Sequence, residues 1–136
     1  MAIDTTEALS RVPLLSGLDS KQLNALARSF TERAFPAGTV VVKEGDERGI
    51  GFFVIADGEA RVTRKGEELD TLGPGDHFGE IALIGDRVRT ATVTAETDLQ
   101  TLVTTVWEFR AYVQNDPDVA WKLLEHLVEL IQDSQS

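Results

Sequence analysis

The sequence predicts a mainly β fold with helices at both ends. A series of short extended runs lies between residues 39 and 105, separated by turns that contain Gly and Asp. Apolar residues recur at helical spacing on either side of this region. Many short strands in such a series favour an antiparallel sandwich or a jelly roll. A chain of 136 residues without Cys fits one domain whose core needs no disulfide.

The N-terminal segment, residues 1–34, is expected to be helical. Asp19 can cap a helix in which Gln22 is the third residue, as in a capping box. Four apolar residues at helical spacing should face the core: Leu23, Leu26, Ala27 and Phe30. Residues 35–38, with the sequence FPAG, are expected to end this helix and to open the strand region.

The central region, residues 35–106, is expected to form the strands. Residues 39–42 and 52–55 are apolar and β-prone, whereas residues 60–64 and 90–95 alternate with period two. Turn signals fall at residues 44–46, 57–58, 65–66 and 73–75.

The C-terminal segment, residues 107–133, returns to helix. Asp116 reads as an N-cap and Pro117 as the first helical residue. One broad apolar stripe follows, formed by Ala120, Leu123, Leu124, Leu127, Val128 and Ile131. A stripe of this width must be buried, either by folding over a ligand pocket or by pairing with its twin in a C2 dimer. Trp121 lies off the stripe and either packs against the fold or caps a ligand.

The composition excludes several classes of function. The net charge is −10 and no cluster of Lys and Arg is present, so we expect no nucleic-acid binding. The N-terminus has no signal-peptide pattern, and the apolar runs are far shorter than the roughly 20 residues of a membrane span. We therefore expect a cytoplasmic protein without a membrane segment. The two histidines, His77 and His126, are too far apart in sequence to suggest the metal site of a jelly-roll enzyme.

The strongest functional motif has two parts, FGEIAL at residues 78–83 and RTAT at residues 89–92. The Arg89 guanidinium can bind a phosphate as a bidentate fork, and backbone amides at the start of a short helix add partial positive charge. The Glu80 carboxylate only accepts hydrogen bonds, so its useful partner beside a phosphate is a hydroxyl such as a ribose 2′-OH. The motif therefore indicates a small anion that carries a sugar hydroxyl.

This order of residues resembles the phosphate-binding cassette of the cyclic nucleotide-binding domain family. The resemblance extends over the turns and helices from about residue 9 to residue 131. It implies an antiparallel, jelly-roll-like β-roll with an N-terminal helix and two C-terminal helices, in one domain over residues 1–136, with the cassette at residues 78–92. The sequence departs from the family's pattern at the Gly-rich residues 49–51, at Arg87 and at Val88, but not at Glu80 or Arg89.

The resemblance also implies a role for each position. Glu80 would accept from the ribose and Arg89 would hold the cyclic phosphate. Ile81 would reach the phosphate or the ribose with its backbone amide, and its side chain would relay movement of the cassette to the closing helices. The other residues expected to contact the ligand are Gly79, Ala82, Thr90 and Ala91 in the cassette, and Val62 and Leu72 as walls of the base pocket. The ligand would be cAMP or, because a hydroxyl at Thr90 can contact guanine, cGMP. No cofactor is implied.

The resemblance implies that the chain is a non-catalytic regulatory module, which binds a cyclic nucleotide and then moves its C-terminal helices. The partner would be a protein effector or a second copy bound through the C-terminal helix. One alternative is a ligand-independent scaffold with a vestigial fold, against which the presence of both Glu80 and Arg89 argues. Glu80 and Arg89 could separately be an ordinary surface ion pair, worth at most about 1 kcal/mol. A jelly-roll enzyme is the other alternative.

Overall fold

A computed structural model of the protein describes residues 4–45, 51–79 and 90–135. The helices in these residues are α1 (Thr5–Ser10), a short 3₁₀ helix (Pro13–Leu15), α2 (Ser20–Ala27), α3 (Val106–Asn115) and α4 (Pro117–Gln135). The strands are β1 (Thr31–Phe35), β2 (Val40–Val42), β3 (Gly51–Asp57), β4 (Ala60–Arg64), β5 (Glu67–Leu72), β6 (His77–Phe78), β7 (Thr92–Ala95) and β8 (Leu99–Thr105).

The strands form two four-stranded sheets, in the orders β1-β8-β3-β6 and β2-β7-β4-β5. Every pair of neighbouring strands is antiparallel. The predicted mainly β fold, an antiparallel β-roll with an N-terminal helix and two C-terminal helices, is confirmed.

Strand β3 separates two hydrophobic cores, which is why its first five residues, 51–55, are all buried. Phe52 and Val54 pack into a cluster with the helices, which we call the helical core. Phe53 and Ile55 point the other way, into a cluster between the sheets, which we call the roll interior. Successive side chains of a strand lie on opposite faces, so an apolar run without alternation marks a strand that is covered on both sides.

The predicted capping box at the start of α2 is confirmed. Asp19 Oδ1 accepts a hydrogen bond from the Gln22 amide at 2.8 Å, and Gln22 Oε1 accepts one from the Asp19 amide at 3.1 Å. Leu23 and Leu26 are buried in the helical core as expected.

The end of the N-terminal helical segment was predicted wrongly. Helix α2 ends at Ala27, so Phe30 follows the helix, and β1 begins at Thr31 rather than after residue 35. The cause is long-range pairing, because β1 pairs with β8 along its whole length, from Thr31 opposite Val103 to Phe35 opposite Leu99. Such pairing overrides weak local preferences.

Helices α3 and α4 are separated by a single residue, Asp116. Its Oδ1 accepts a hydrogen bond from the Asp118 amide at 3.2 Å, and α4 begins at Pro117, as the sequence predicts. The apolar stripe of α4 is divided. Leu123 is buried in the helical core, whereas Leu124 and Val128 are 55% and 53% exposed. Among the described residues, no helix is both long enough and apolar enough to span a bilayer.

Candidate functional site

The predicted cassette, residues 78–92, is described by the structure at its two ends only. Glu80, Ile81, Ala82 and Arg89 lie outside the described residues, as do the departures at residues 87 and 88 and most of residues 49–51. Their roles therefore remain predictions, and the geometry of the site comes from the residues that border them.

The upstream end is a strand that stops at a glycine. Phe78 pairs with Phe53 across β6 and β3, and the two rings stack with centroids 4.8 Å apart and an interplanar angle of 11°. Gly79 follows with φ +89°, a conformation that glycine adopts without a steric penalty. The backbone therefore takes a left-handed conformation at the second residue of the predicted cassette. His77 begins β6, as predicted.

The downstream end is held by the Arg64 side chain and by the Glu44 backbone amide, which come from two other segments. Arg64 Nε donates to the Thr90 carbonyl at 2.9 Å, at the end of β4. Two residues later, Thr92 Oγ1 accepts a hydrogen bond from the Glu44 amide at 2.9 Å, and Glu44 Oε1 accepts from the Lys65 amide at 2.9 Å. The chain that leaves the cassette is therefore fixed to the segment after β2 and to the β4–β5 turn.

Arg64 and Glu44 are positioning residues that the sequence analysis missed. Each bridges segments that are distant in sequence, and each occupies a position with an ordinary local explanation, Arg64 at the end of an alternating strand and Glu44 beside a turn glycine. A single sequence gives no local signal for either contact.

The predicted base-pocket walls lie on one face of one sheet. Ala60 pairs with Leu72 across β4 and β5, and it is fully buried. Val62 lies two residues further along β4, on the same face, and pairs with Val93 of β7. Val62 and Leu72 are both half-buried and pack against the roll interior, the cluster that includes Phe78.

The remaining described residues of the cassette lie nearer the surface. Thr90 is exposed and Ala91 is half-buried. Gly79 precedes, and Thr90 and Ala91 follow, the part of the cassette that lies outside the described residues, while Val62 and Leu72 pack against the cluster that contains Phe78. An apolar wall beside backbone amides can take a flat heterocycle on one side and a polar group on the other.

The two histidines are on different elements. The His77 ring meets Phe52 edge-on, with centroids 6.0 Å apart, and His126 Nε2 of α4 lies 3.0 Å from Ser16 Oγ. Within residues 4–45, 51–79 and 90–135, no group of three or more His, Cys, Asp or Glu side chains could hold a metal ion.

Comparison with known proteins identifies relatives that match part of the chain. The chain is 48% identical over 94 residues to a cAMP-dependent protein kinase regulatory subunit of Yarrowia lipolytica, covering 68% of the chain and 25% of that protein. It is 41% identical over 78 residues to a cGMP-dependent protein kinase of Toxoplasma gondii, covering 57% of the chain and 8% of that protein. The chain therefore spans a quarter or less of these relatives.

A solved structure and a family model agree with these relatives. The N-terminal domain of a transcriptional regulator from Streptomyces coelicolor A3(2) superposes with a TM-score of 0.84 at 28% identity, covering 93% of the chain and 94% of that structure. The family model described as the cyclic nucleotide-binding domain matches residues 32–116, from β1 to the residue between α3 and α4. With most of its length matched, the chain belongs to the cyclic nucleotide-binding domain family.

Proposed function

We propose that this chain is a non-catalytic sensor module that binds cAMP, or cGMP, and moves its C-terminal helices in response. The observation that carries the proposal is the apolar wall of Val62 and Leu72, which joins the cluster containing Phe78 at the start of the cassette. A base can lie against this wall while its phosphate reaches the cassette at residues 78–92. A Cys-free chain suits the reducing cytoplasm, where we expect the module to act.

The proposed contacts divide between charge and backbone. Arg89 binds the cyclic phosphate as a charge-assisted fork, and Glu80 accepts from the ribose 2′-OH. The amides of Ile81, Ala82 and Ala91 complete the polar surface, and Gly79 allows the backbone to approach closely. The net charge of −10 opposes an anionic ligand, so affinity has to come from these local donors.

The choice between cAMP and cGMP depends on Thr90. Its exposed hydroxyl can reach a guanine, and the chain resembles both a cAMP-dependent regulatory subunit and a cGMP-dependent kinase. A hydroxyl at this position does not oppose adenine, and the relative of higher identity is the cAMP-dependent one. We therefore favour cAMP, and a competition titration with both nucleotides measures the preference directly.

Calorimetric titration of an arginine variant tests the proposal. Arg89→Ala should lower cAMP affinity by about 1.5 to 3.5 decades, because removing one partner of a desolvated charge pair costs roughly 2–5 kcal/mol. Arg87→Ala is the matched control, since it removes a second guanidinium from the same loop and should leave affinity nearly unchanged. Absence of heat and of a melting shift with millimolar cAMP and cGMP would contradict the function itself.

The partner would be a second copy or an effector bound through α4. Trp121, Leu124 and Val128 are 64%, 55% and 53% exposed, and their spacing of three and four residues forms a seam along the helix. Leu124→Asp should abolish self-association in sedimentation experiments if α4 pairs with its twin. A monomeric wild-type protein at all concentrations would favour the effector.

The alternative of a ligand-independent scaffold makes the opposite prediction. Its partner complex would form with the same affinity in the presence and absence of nucleotide, and Arg89→Ala would change nothing. A regulatory module requires different ligand affinities in its two states, so partner binding must respond to nucleotide.

A further inference from the structure

Gln22 is a buried polar residue whose polar atoms all have partners. It is 7% exposed, although it lies near the start of α2. Its backbone amide and its side-chain Oε1 form the capping box with Asp19. Its Oε1 also accepts from Lys122 Nζ at 2.9 Å, and its Nε2 donates to Asp118 Oδ2 at 2.9 Å and to Asp116 Oδ2 at 3.4 Å. Its backbone carbonyl accepts a hydrogen bond from the Tyr112 hydroxyl at 2.7 Å.

These partners lie on both sides of the junction between α3 and α4. Tyr112 belongs to α3, Asp116 is the junction itself, and Asp118 and Lys122 belong to the first turns of α4. The two sides use different groups of Gln22. The backbone carbonyl binds α3, and the side-chain amide binds the junction and α4.

Lys122 completes the contact from the side of α4. Its ammonium lies 3.3 Å from Asp118 Oδ2 and 3.6 Å from Asp19 Oδ2, and its side chain is 28% exposed. The hydrogen bond from the Gln22 backbone amide lowers the pKa of the Asp19 carboxyl, and the Lys122 charge lowers it further. A Cβ on Gly17 would lie 3.8 Å from the Lys122 carbonyl, so α4 also approaches the segment before α2 closely.

We propose that the side chains of Gln22 and Lys122 form a lock that holds α4 against α2 and fixes the angle between α3 and α4. A rotation of α4 about Asp116 has to break the hydrogen bonds that the side-chain amide of Gln22 makes with Asp118 and Lys122. The same rotation leaves the bond from Tyr112 to the Gln22 carbonyl intact, because Tyr112 stays with α3. The lock is a property of the chain without ligand and does not depend on the proposed function.

Hydrogen exchange of the nucleotide-free protein tests the lock. Gln22→Met keeps the length of the side chain and removes its amide, and Lys122→Met keeps the stem and removes the ammonium. Each should speed exchange of the α4 amides at residues 119–126 by about tenfold or more, as expected when hydrogen bonds that involve charged groups are lost. Exchange of the α3 amides at residues 109–115 should not change.

Two further variants make the test specific. Lys21→Met applies the same chemical change to an exposed lysine of α2 and should alter neither helix. Tyr112→Phe should speed exchange in α3 and leave α4 protected, the reverse of the lock variants. Unchanged α4 exchange in Lys122→Met, or equal loosening of α3 and α4, would overturn the proposal. If Gln22→Met does not fold, Lys122→Met decides the question on the same criterion.

Discussion

The helical core and the roll interior share strand β3, and each has a fully buried centre and a half-buried margin. They differ in the elements that form the margin, which are mainly helical in the helical core and are all strands in the roll interior. In the helical core, Leu9, Leu15, Leu26, Phe52 and Val119 have no exposed surface. In the roll interior, Ile55 and Leu99 are equally buried, but Val62 and Leu72 at its margin remain half-exposed. Fully buried apolar residues contribute stability, whereas apolar surface left at a margin between strands can be covered by a ligand.

The difference follows from what covers each face of β3. Phe52 and Val54 are fully buried in a cluster to which α1, the 3₁₀ helix, α2, α3 and α4 all contribute residues. Phe53 and Ile55 are buried in a cluster with residues of the opposite sheet, whose strands β4 and β5 carry Val62 and Leu72 at the margin of that cluster. We therefore expect changes in the helical core to act on stability and changes at the margin of the roll interior to act on ligand affinity.

The largest effect should come from the side of β3 that faces the helical core. Phe52→Ala removes a fully buried ring that meets Phe30 edge-on at 5.7 Å, and such truncations cost about 3–5 kcal/mol. Urea denaturation should show this loss. The cAMP affinity of the protein that remains folded should match that of the wild type, and a large loss of affinity would contradict the separation of the two cores.

A variant at the margin of the roll interior should reverse the pattern. Leu72→Ala should cost only about 2 kcal/mol of stability, the lower end for leucine truncation, because the residue is already half-exposed. It should lower cAMP affinity by about tenfold, since a base would lose part of its apolar wall. Denaturation and calorimetry on the same preparation give both numbers, and an unchanged affinity would remove Leu72 from the site.

The sequence predicted the fold where local signals agree with long-range pairing. The capping box at Asp19, the Pro117 start of α4 and the buried run of β3 were all readable, because each depends on neighbours in the chain. The start of β1 was not, since it depends on pairing with β8.

In the candidate site, too, some residues could be predicted from the sequence and others could not. The resemblance predicted Val62 and Leu72 as walls of the base pocket. The strand register puts both on one face of the sheet, and their contact with a ligand stays a prediction. The sequence contained no signal for the bond from Arg64 to the Thr90 carbonyl or for the contacts of Glu44. These contacts join segments that meet only when the sheets form, so no local pattern encodes them.

A smaller effect should come from two glycines with the same backbone conformation. Gly79 and Gly38 both have φ +89°, and Gly38 has open space where a Cβ would lie. Either change to Ala should cost about 1 kcal/mol through the left-handed backbone. Only Gly79→Ala should also lower cAMP affinity, because Gly79 lies in the cassette. Equal affinities in the two variants would show that the turn at residue 79 positions nothing.

The smallest effect should be a pH dependence at the edge of the helical core. Burial raises the pKa of Tyr112 to about 12, and the nearby carboxylates of Asp116 and Asp19 contribute to the rise. The unfolded value is about 10, so the folded protein holds this proton more tightly. The resulting stability is fully present below about pH 10 and is lost as the pH rises towards about 12.

Tyr112 is the only tyrosine, so ultraviolet absorbance can follow its ionisation directly. Tyr112→Phe should cost about 1 kcal/mol near neutral pH, because the hydrogen bond to the Gln22 carbonyl is lost. The gap in unfolding free energy between wild type and variant should then narrow between pH 10 and 12, since only the wild type has this proton to lose. A constant gap, or a tyrosine that ionises near its ordinary pKa, would show that water reaches the edge of the helical core as freely as it reaches the margin of the roll interior.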